Sequence, residues 1–382
     1  MAAALVASCS RPAIEANKPW NPRTAAAYLD QRQDWWASWP NATRDHDTFC
    51  ISCHTVVPYA LSRPSLRRVL GETAPTARES RVLENVRKRV RLGKQTDSYY
   101  TDQSDGTSKT AESRGTEAVL NALILASYDA ENGQLSDDTQ IAFDNMWALQ
   151  RKSGAEEGAW YWLQFNLEPW EANDSAYYGA TLAAIAVGIA PQDYRARPEI
   201  QKNIQELRDY LDREYDKQSL INRVGLLWAS TKLPGLIAQE RKRSVIDEVL
   251  SQQREDGGWS LAKLSGTWAD GSFSSFLRRS KRLVGAAFTA KSDGYATGLI
   301  TFSLLEAGVP YQNPQLRRAV SWLKTNQDGV DGRWPPYALN RSQKPNTIIG
   351  RFRSDATSAY AVLALTESDR REHQSTTAQS GF

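Results

Sequence analysis

The chain has 382 residues, of which 41% are hydrophobic and 24% charged, so it has enough apolar side chains for a large core. Lysine and arginine number 47 against 44 acidic residues, and this net charge of +3 gives no basis for nucleic-acid binding. No apolar run has the length of a transmembrane helix, and three cysteines are too few for a disulfide-stapled miniprotein.

The sequence of residues 1–20 predicts an exported N-terminus followed by a linker. Leu5, Val6, Ala7 and Ser8 form a small apolar run that ends at Cys9, as in bacterial lipoprotein signals whose cysteine carries the lipid. No lysine or arginine precedes this run, and the run is shorter than a normal signal core, so either the true start lies further upstream or the terminus is only alanine-rich. We expect a bacterial periplasmic or cell-envelope location, with membrane contact only through a lipid anchor at Cys9.

Cys50, Cys53 and His54 have the spacing of the motif that attaches c-type haem. In that chemistry two thiols bond to the porphyrin and the adjacent imidazole binds the iron. A zinc site would need four ligands, and the remaining histidines, His46 and His373, lack zinc-site spacing. The motif therefore predicts covalent haem c, while a thiol pair without a cofactor and a metal site remain alternatives.

The sequence does not fix a sixth ligand for such an iron. Met146 is one candidate, although its place beside Trp147 on an amphipathic helix favours core packing. His46 is the other, but it precedes His54 by only eight residues, so the chain between them would have to loop over the haem. An iron without a strong sixth ligand favours oxidation chemistry, whereas two strong ligands favour electron transfer.

Apolar and polar helical stretches alternate at a period of about 60 residues. The apolar stretches begin near His54, Arg114, Asp174, Asn222, Asp293 and Asp355. The polar, amphipathic stretches are Thr24–Trp36, Glu79–Leu92, Asp137–Arg151, Pro198–Tyr215, Gln239–Gln253 and Pro314–Asn326. Because a helix that is apolar nearly all round is buried, we predict an all-α fold: an α6/α6 toroid of about twelve alternating outer and inner helices. It forms one domain over residues 21–366, and the polar tail 367–382 is predicted to lack structure.

A glutamine–glycine–tryptophan pattern recurs along the predicted toroid. Gln253, Gly257 and Trp259 match the spacing QxxxGxW, and Gln327–Trp334 and Gln150–Trp160 match it with insertions. The pattern resembles the repeat of the squalene–hopene cyclase and protein prenyltransferase superfamily. That resemblance implies an α/α toroid in which these glutamine and tryptophan side chains stitch the outer helices together and take no part in catalysis.

The chemistry of that superfamily is not evident in the chain. The Asp-x-Asp-Asp signature of class II cyclases is absent, and Asp45 and Asp47 are its nearest approach. The zinc ligands of the prenyltransferases are also incomplete. Whether the chain is an enzyme stays open at this point; if it is one, an oxidoreductase is expected.

Three aspartates, Asp174, Asp293 and Asp355, stand at predicted starts of inner helices. They are typical N-caps, since a carboxylate accepts hydrogen bonds from open backbone N–H groups. The alternative places them as catalytic candidates on one rim of the toroid, around the mouth of its cavity. The same register puts Cys53 and His54 on that rim.

Three hypotheses of function follow. The leading one is an exported c-type haem protein that performs electron transfer or oxidation near the toroid cavity, with a redox partner protein. The second is a haem-independent enzyme that acts on a small apolar terpenoid or a glycan in the cavity. Its stacking surface would consist of Trp160, Trp162, Trp170, Tyr177 and Tyr178. The third is a non-catalytic binding or scaffold module.

Overall fold

The computed structural model describes residues 19–101, 108–165, 167–172, 174–265, 291–334, 336 and 346–380. The outer helices are α1 Pro22–Ser38, α3 Ala77–Leu92, α5 Asp137–Ala148, α8 Pro198–Glu214, α10 Gln239–Ser251 and α13 Pro314–Thr325. The inner helices are α2 Val56–Leu70, α4 Lys109–Asp129, α6 Ser175–Ile189, α9 Leu220–Lys232, α12 Gly294–Glu306 and α14 Ile348–Ser380. Two short α-helices, α7 Gln192–Arg195 and α11 Leu261–Leu264, and a hairpin of β1 Thr43–Arg44 with β2 Thr48–Phe49 lie between them. Two 3-10 turns, Gly93–Gln95 and Tyr215–Lys217, complete the described elements.

The six inner helices close into a ring. Each packs against the next in chain order, and α14 packs against both α12 and α2, which joins the end of the chain to its beginning. The outer helices lie around this ring, each against an inner helix. The predicted α6/α6 toroid is confirmed.

Side-chain polarity explains which helices lie inside. Every residue of α12 from Gly294 to Leu305 is buried, because inner helices touch neighbours on all sides. In α8 the buried residues form one stripe and the rest of the helix faces outward; they are Ile200, Ile204, Leu207, Tyr210 and Leu211. Within the described ranges, no helix is both long and apolar enough to cross a membrane.

The Gln253 repeat shows how one outer helix is tied to the next. Gln253 Nε2 donates to the carbonyl of Gly257 at 2.8 Å and to that of Gln315, in α13, at 2.7 Å. The indole of Trp259 donates to the carbonyl of Val249 in α10 at 2.8 Å. Gly257 has φ +91°, and an added Cβ would lie 2.8 Å from the Arg318 carbonyl oxygen, so only glycine fits this turn.

The other two repeats make the same contacts. Gln327 bonds to the carbonyls of Gly332 and Asn21, and Trp334 bonds to that of Leu323. Since Asn21 is the N-cap of α1, this repeat joins the last outer helix to the first. In the third repeat Gln150 bonds to the carbonyls of Gly158 and Asn203, and Trp160 bonds to that of Met146. The stitching role of these side chains is therefore visible in all three repeats.

The last helix differs from its predicted bounds at both ends. It begins at Ile348, so Asp355 lies within it and not at its start. It also continues through the polar tail to Ser380, where Glu367 forms ion pairs with Arg370 and Arg371. The tail has few apolar residues, but ion pairs between side chains three and four residues apart stabilise its helix. Cys9 precedes the described residues, so the lipid anchor and the envelope location stay predictions.

Replacing Trp259 with Phe tests the stitching contact. The change removes the indole N–H from the buried Val249 carbonyl, which keeps the backbone N–H of Gln252 as a donor. We expect the loss of this one hydrogen bond to lower the free energy of unfolding by about 0.5–1.5 kcal/mol in urea denaturation. Trp322→Phe is the matched control, because the Trp322 indole donates to Asp256 in an exposed contact. The free energy of unfolding of this control variant should stay within about 0.5 kcal/mol of the wild-type value. Equal losses in the two variants would contradict a special role for the repeat.

Candidate functional site

A groove lies at the mouth of the toroid where the inner helices begin. Its deeper part, the inner pocket, has a volume of about 230 Å³ and is lined by Trp36, Trp39, Cys50, Ile51, Ser52, His54, Tyr99, Tyr100, Leu163, Phe165, Leu167, Glu171, Ile349, Phe352 and Arg353. Its shallower part, the outer hollow, is lined by Thr43, Arg44, Asp45, Asp97, Ser98, Tyr99, Tyr100, Thr101, Lys109 and Phe165. Tyr99, Tyr100 and Phe165 border both parts, so the two form one continuous groove with an aromatic and a polar end.

Hydrogen bonds fix the segment that carries Cys50, Cys53 and His54. The Asn85 amide of α3 bonds to both the N–H and the carbonyl of Phe49, at 2.8 and 3.0 Å. The Trp36 indole then donates to the Cys50 carbonyl at 2.8 Å. At the far end Ser52 Oγ accepts from the backbone N–H of Val56, the first residue of α2, at 3.1 Å. The segment therefore has a fixed path from β2 into α2.

Both cysteine thiols are buried. Cys50 is 5% exposed and Cys53 is 1% exposed. Burial raises the pKa of Cys50 to about 12, and burial together with the charge of Glu171 raises the pKa of Cys53 well above its usual range. Cys53 and Glu171 are hydrogen-bonded, with the thiol as donor. Because the thiolate is the reactive form of cysteine, both thiols are unreactive in this setting.

His54 is held among aromatic rings. It stacks on Phe352 with 3.9 Å between ring centroids and a 20° interplanar angle, while Trp36 and Trp170 lie 5.3 and 5.8 Å away. Burial, and to a smaller degree the charge of Arg32, lowers the pKa of His54 to about 3, so the imidazole is neutral at physiological pH.

These residues do not fit a haem. A porphyrin is much larger than a sugar ring, and the inner pocket, at about 230 Å³, lies below the range of about 300–1,000 Å³ that is usual for sites of drug-sized molecules. Phe352 covers one face of the imidazole, and both thiols lie below the surface. Among the described residues, no group of three or more histidine, cysteine, aspartate or glutamate side chains is placed to hold a metal ion.

Neither candidate for a sixth ligand is among the residues that line the inner pocket. Met146 is fully buried in α5, where its carbonyl accepts from Trp160. His46 sits in the turn between β1 and β2 with φ +52°, and its Nε2 lies 3.3 Å from the carbonyl oxygen of Gln95. In this structure neither side chain therefore borders the pocket that the ring of His54 lines.

Two of the three predicted rim aspartates stand at helix starts. Asp293 is the N-cap of α12 and accepts from the backbone N–H groups of Ala296 and Leu261 at 2.8 and 2.6 Å, as the N-cap interpretation predicts. Burial raises its pKa to about 6. Asp174 occupies the position before α6 and accepts from the Asn222 amide at 2.9 Å. Neither is among the described residues that line the groove.

Asp355 has a different role from the predicted cap. It lies inside α14, 1% exposed, and its two carboxylate oxygens accept from Arg32 Nε and Nη2 at 2.7 and 2.9 Å. The Tyr28 hydroxyl donates to it at 2.9 Å and the Thr55 hydroxyl at 2.7 Å. Thr55 Oγ1 is also 3.0 Å from His54 Nδ1, so the structure links Asp355 to His54 through one hydroxyl.

Glu171 is the carboxyl group of the inner pocket, and the sequence reasoning missed it. It is 7% exposed, and burial raises its pKa to about 7, with the Cys53 hydrogen bond and Lys109 acting in the opposite direction. It lies in an irregular segment paired by an isolated bridge with Leu167, where no periodic pattern marks it. The one sequence feature that could have indicated Glu171 is its position next to Trp170, just before an inner helix.

The predicted stacking surface lies in the core. Trp160, Trp162, Trp170 and Tyr177 are at most 2% exposed, and the indole of Trp162 donates to the Trp170 carbonyl. The fifth residue, Tyr178, is partly buried against the core and borders the small central cavity. The aromatic side chains open to solvent in the groove are others: Tyr100 and Phe165, each 39% exposed. Sequence alone could not separate the two sets, because both are aromatic residues near helix ends.

The centre of the toroid is nearly filled. The cavity enclosed there by Tyr178, Trp228, Tyr295, Tyr360 and neighbouring described residues has a volume of about 20 Å³. The rings of Tyr295 and Tyr360 meet edge to face with centroids 5.1 Å apart. Such a space holds at most one water molecule, so the described central cavity has no room for a sugar or a terpenoid.

Several solved structures share this fold, whereas no protein-family model and no curated protein matches the chain. A glycosidase variant has a TM-score of 0.52 at 14% identity over 91% of this chain and 95% of its own. A glycosidase variant in complex with glucose has a TM-score of 0.52 at 13% identity over 91% and 96%. A possible member of the GH105 family from Klebsiella pneumoniae subsp. pneumoniae has a TM-score of 0.52 at 12% identity over 97% and 100%.

At such identities the likeness shows the α/α toroid fold, and it supports no membership of the squalene–hopene cyclase superfamily. The description as a haem, iron and electron-transfer protein is wrong: the printed names of the similar structures are glycosidases, and the inner pocket beside Cys50 and His54 does not fit a porphyrin. No contact tests the thioether bonds themselves, so covalent attachment at Cys50 and Cys53 stays a prediction from the motif alone.

Glu171 gives the stability of the protein a defined pH dependence. Between its ordinary pKa of 4.5 and about 7, the folded protein keeps a proton on Glu171 that the unfolded chain has released. The free energy of unfolding contributed by this group therefore falls as pH rises through that window. Relative to wild type, Glu171→Gln should gain stability with rising pH, by up to about 3 kcal/mol above pH 7. Urea denaturation from pH 4.5 to 8 measures this, and a difference that is independent of pH would contradict it.

Proposed function

We propose that the chain is an enzyme that hydrolyses glycans, with the saccharide bound in the groove at the toroid mouth and Glu171 as its proton donor. The observation that carries the proposal is a buried carboxyl group, with a pKa raised to about 7, on the wall of an aromatic pocket open to solvent. Raised carboxyl pKa values in clefts are typical of general acids.

The lining of the groove suits a saccharide. Sugar rings present apolar C–H faces and polar hydroxyl edges, so they bind where aromatic faces lie beside hydrogen-bonding groups. Tyr100 and Phe165 provide exposed aromatic faces between the two parts of the groove. Asp45, Asp97 and Arg44 provide charged and polar groups in the outer hollow.

Hydrolysis of a glycosidic bond needs a proton on the leaving oxygen and a water molecule at the anomeric carbon. Protonated Glu171 donates its proton to the glycosidic oxygen as the bond from that oxygen to the anomeric carbon breaks. Water forms the new C–O bond and gives up one proton, which a carboxylate such as Asp45 accepts and solvent returns to Glu171. One C–O and one O–H bond break in the reaction, and one of each forms.

The similar structures support this proposal over its alternatives. Their printed names are glycosidases and a possible GH105 member, and one of them is in complex with glucose. A terpenoid substrate would need an apolar interior space, and the described central cavity holds only about 20 Å³. A non-catalytic binding module would use the same groove without turnover, so a turnover measurement separates the two.

Glu171→Gln tests the catalytic role. We expect wild-type protein to release reducing ends from at least one member of a panel of neutral and acidic oligosaccharides. In the variant kcat should fall by about 10²–10⁴, because a general acid contributes rate enhancement of that size. The wild-type rate should decline above about pH 7 as Glu171 loses its proton.

Glu248→Gln is the control, since Glu248 lies on outer helix α10 and pairs with Arg223. It should leave the rate unchanged. Folded wild-type protein that cleaves no saccharide, or a Glu171→Gln variant as active as wild type, would contradict the proposal. Binding without cleavage in the wild type would point to the binding module.

A further inference from the structure

A chain of three side chains determines which nitrogen of His54 carries its proton. The Asp355 carboxylate, paired with Arg32, can only accept hydrogen bonds. Thr55 Oγ1, 2.7 Å from Asp355 Oδ2, is therefore the donor in that contact. A hydroxyl has one hydrogen, so in its 3.0 Å contact with His54 Nδ1 the same oxygen can only accept. The proton of the imidazole is thus on Nδ1.

The other ring nitrogen of His54 is left as a bare acceptor. A neutral imidazole with its hydrogen on Nδ1 has a lone pair on Nε2. Among the described residues Nε2 has no hydrogen-bond partner, and His54 borders the inner pocket. Stacking on Phe352 fixes the plane of the ring, so the direction of that lone pair is fixed as well.

We infer that His54 determines substrate specificity by accepting a hydrogen bond from a hydroxyl group of the bound saccharide through Nε2. Thr55 and Asp355 are positioning residues that hold the required tautomer. A hydroxyl can donate to Nε2, whereas an ether, a carbonyl or a carboxylate cannot, so the pocket selects a free hydroxyl at that place. This inference rests on the proposed glycan substrate, but the tautomer can be measured without one.

Thr55 can be changed without removing a helix cap. It occupies the N-cap position of α2, but its side chain makes no capping hydrogen bond there. Thr55→Val removes the hydroxyl at nearly equal volume, and Thr55→Ser keeps it. Thr301→Val is the matched control, because Thr301 is equally buried and its hydroxyl has no hydrogen-bond partner among the described residues.

The first measurement is ¹⁵N NMR of protein labelled at histidine. The chain has three histidines, so substitution of His46 and of His373 assigns the His54 signals. We expect His54 as the Nδ1–H tautomer in wild type, Thr55→Ser and Thr301→Val, and a loss of that preference in Thr55→Val. A Thr55→Val spectrum identical to wild type, or an Nε2–H tautomer in wild type, would overturn the inference.

The second measurement titrates the same proteins with glucose, galactose and xylose, following the His54 Nε2 resonance and the affinity by calorimetry. A bound sugar should shift Nε2 in wild type and Thr55→Ser, and Thr55→Val should bind it about tenfold more weakly, the equivalent of one hydrogen bond. A sugar that binds wild type and Thr55→Val equally, with no shift of Nε2, would overturn the role of His54 while the proposed function stands. If the protein binds and cleaves no saccharide of this set or of the oligosaccharide panel, the proposed function is wrong. The proposed role of His54 Nε2 as acceptor from a sugar hydroxyl is then wrong as well.

Discussion

The buried ion pair between Asp355 and Arg32 connects the helices at the point where the toroid closes, and the groove lies beside it. It joins the last inner helix to the first outer helix, and Thr55 adds the start of the first inner helix to the same carboxylate. A buried pair of this kind adds little net stability when complete, but removing one partner leaves a charge in the core at a cost of about 3–5 kcal/mol. Its value here is geometric, because the contact defines where the ring closes and how His54 is oriented.

Burial also sets the chemistry of the groove. The same apolar surroundings keep the thiols of Cys50 and Cys53 protonated, keep His54 neutral and raise the pKa of Glu171 to about 7. Each shift follows from the low polarity that disfavours a charged side chain. The groove therefore offers a proton donor and a neutral acceptor, and neither a metal nor a reactive thiolate is needed for the hydrolysis proposed.

The ring of helices could be predicted from the sequence because its causes are local. The alternation of apolar and amphipathic stretches and the recurring Gln–Gly–Trp pattern report burial and helix-end hydrogen bonds, which are the contacts seen at Gln253 and Trp259. The helical register also placed His54 and Asp355 on one rim, and the structure brings them together through Thr55.

The site itself could not be predicted in the same way. The spacing of Cys50, Cys53 and His54 carries no information on burial, and burial is what removes their reactivity. Glu171 lies in an irregular segment, and its raised pKa comes from burial, which the local sequence does not show, while the hydrogen bond from Cys53, distant in sequence, acts in the opposite direction. Asp355 was expected at a helix start because an aspartate before an apolar run is typical of one; its true partner, Arg32, lies at the other end of the chain.

The most direct test of the account is a crystal structure of the Glu171→Gln variant with an oligosaccharide that the wild-type protein cleaves. We expect the sugar in the inner pocket, with a glycosidic oxygen beside the substituted side chain and a hydroxyl within hydrogen-bond distance of His54 Nε2. A second cleft exists at the opposite mouth of the toroid, bordered by Lys232, Glu306 and Arg370. A sugar bound there, with the inner pocket empty, would contradict the assignment of the inner pocket and Glu171 as the site of cleavage.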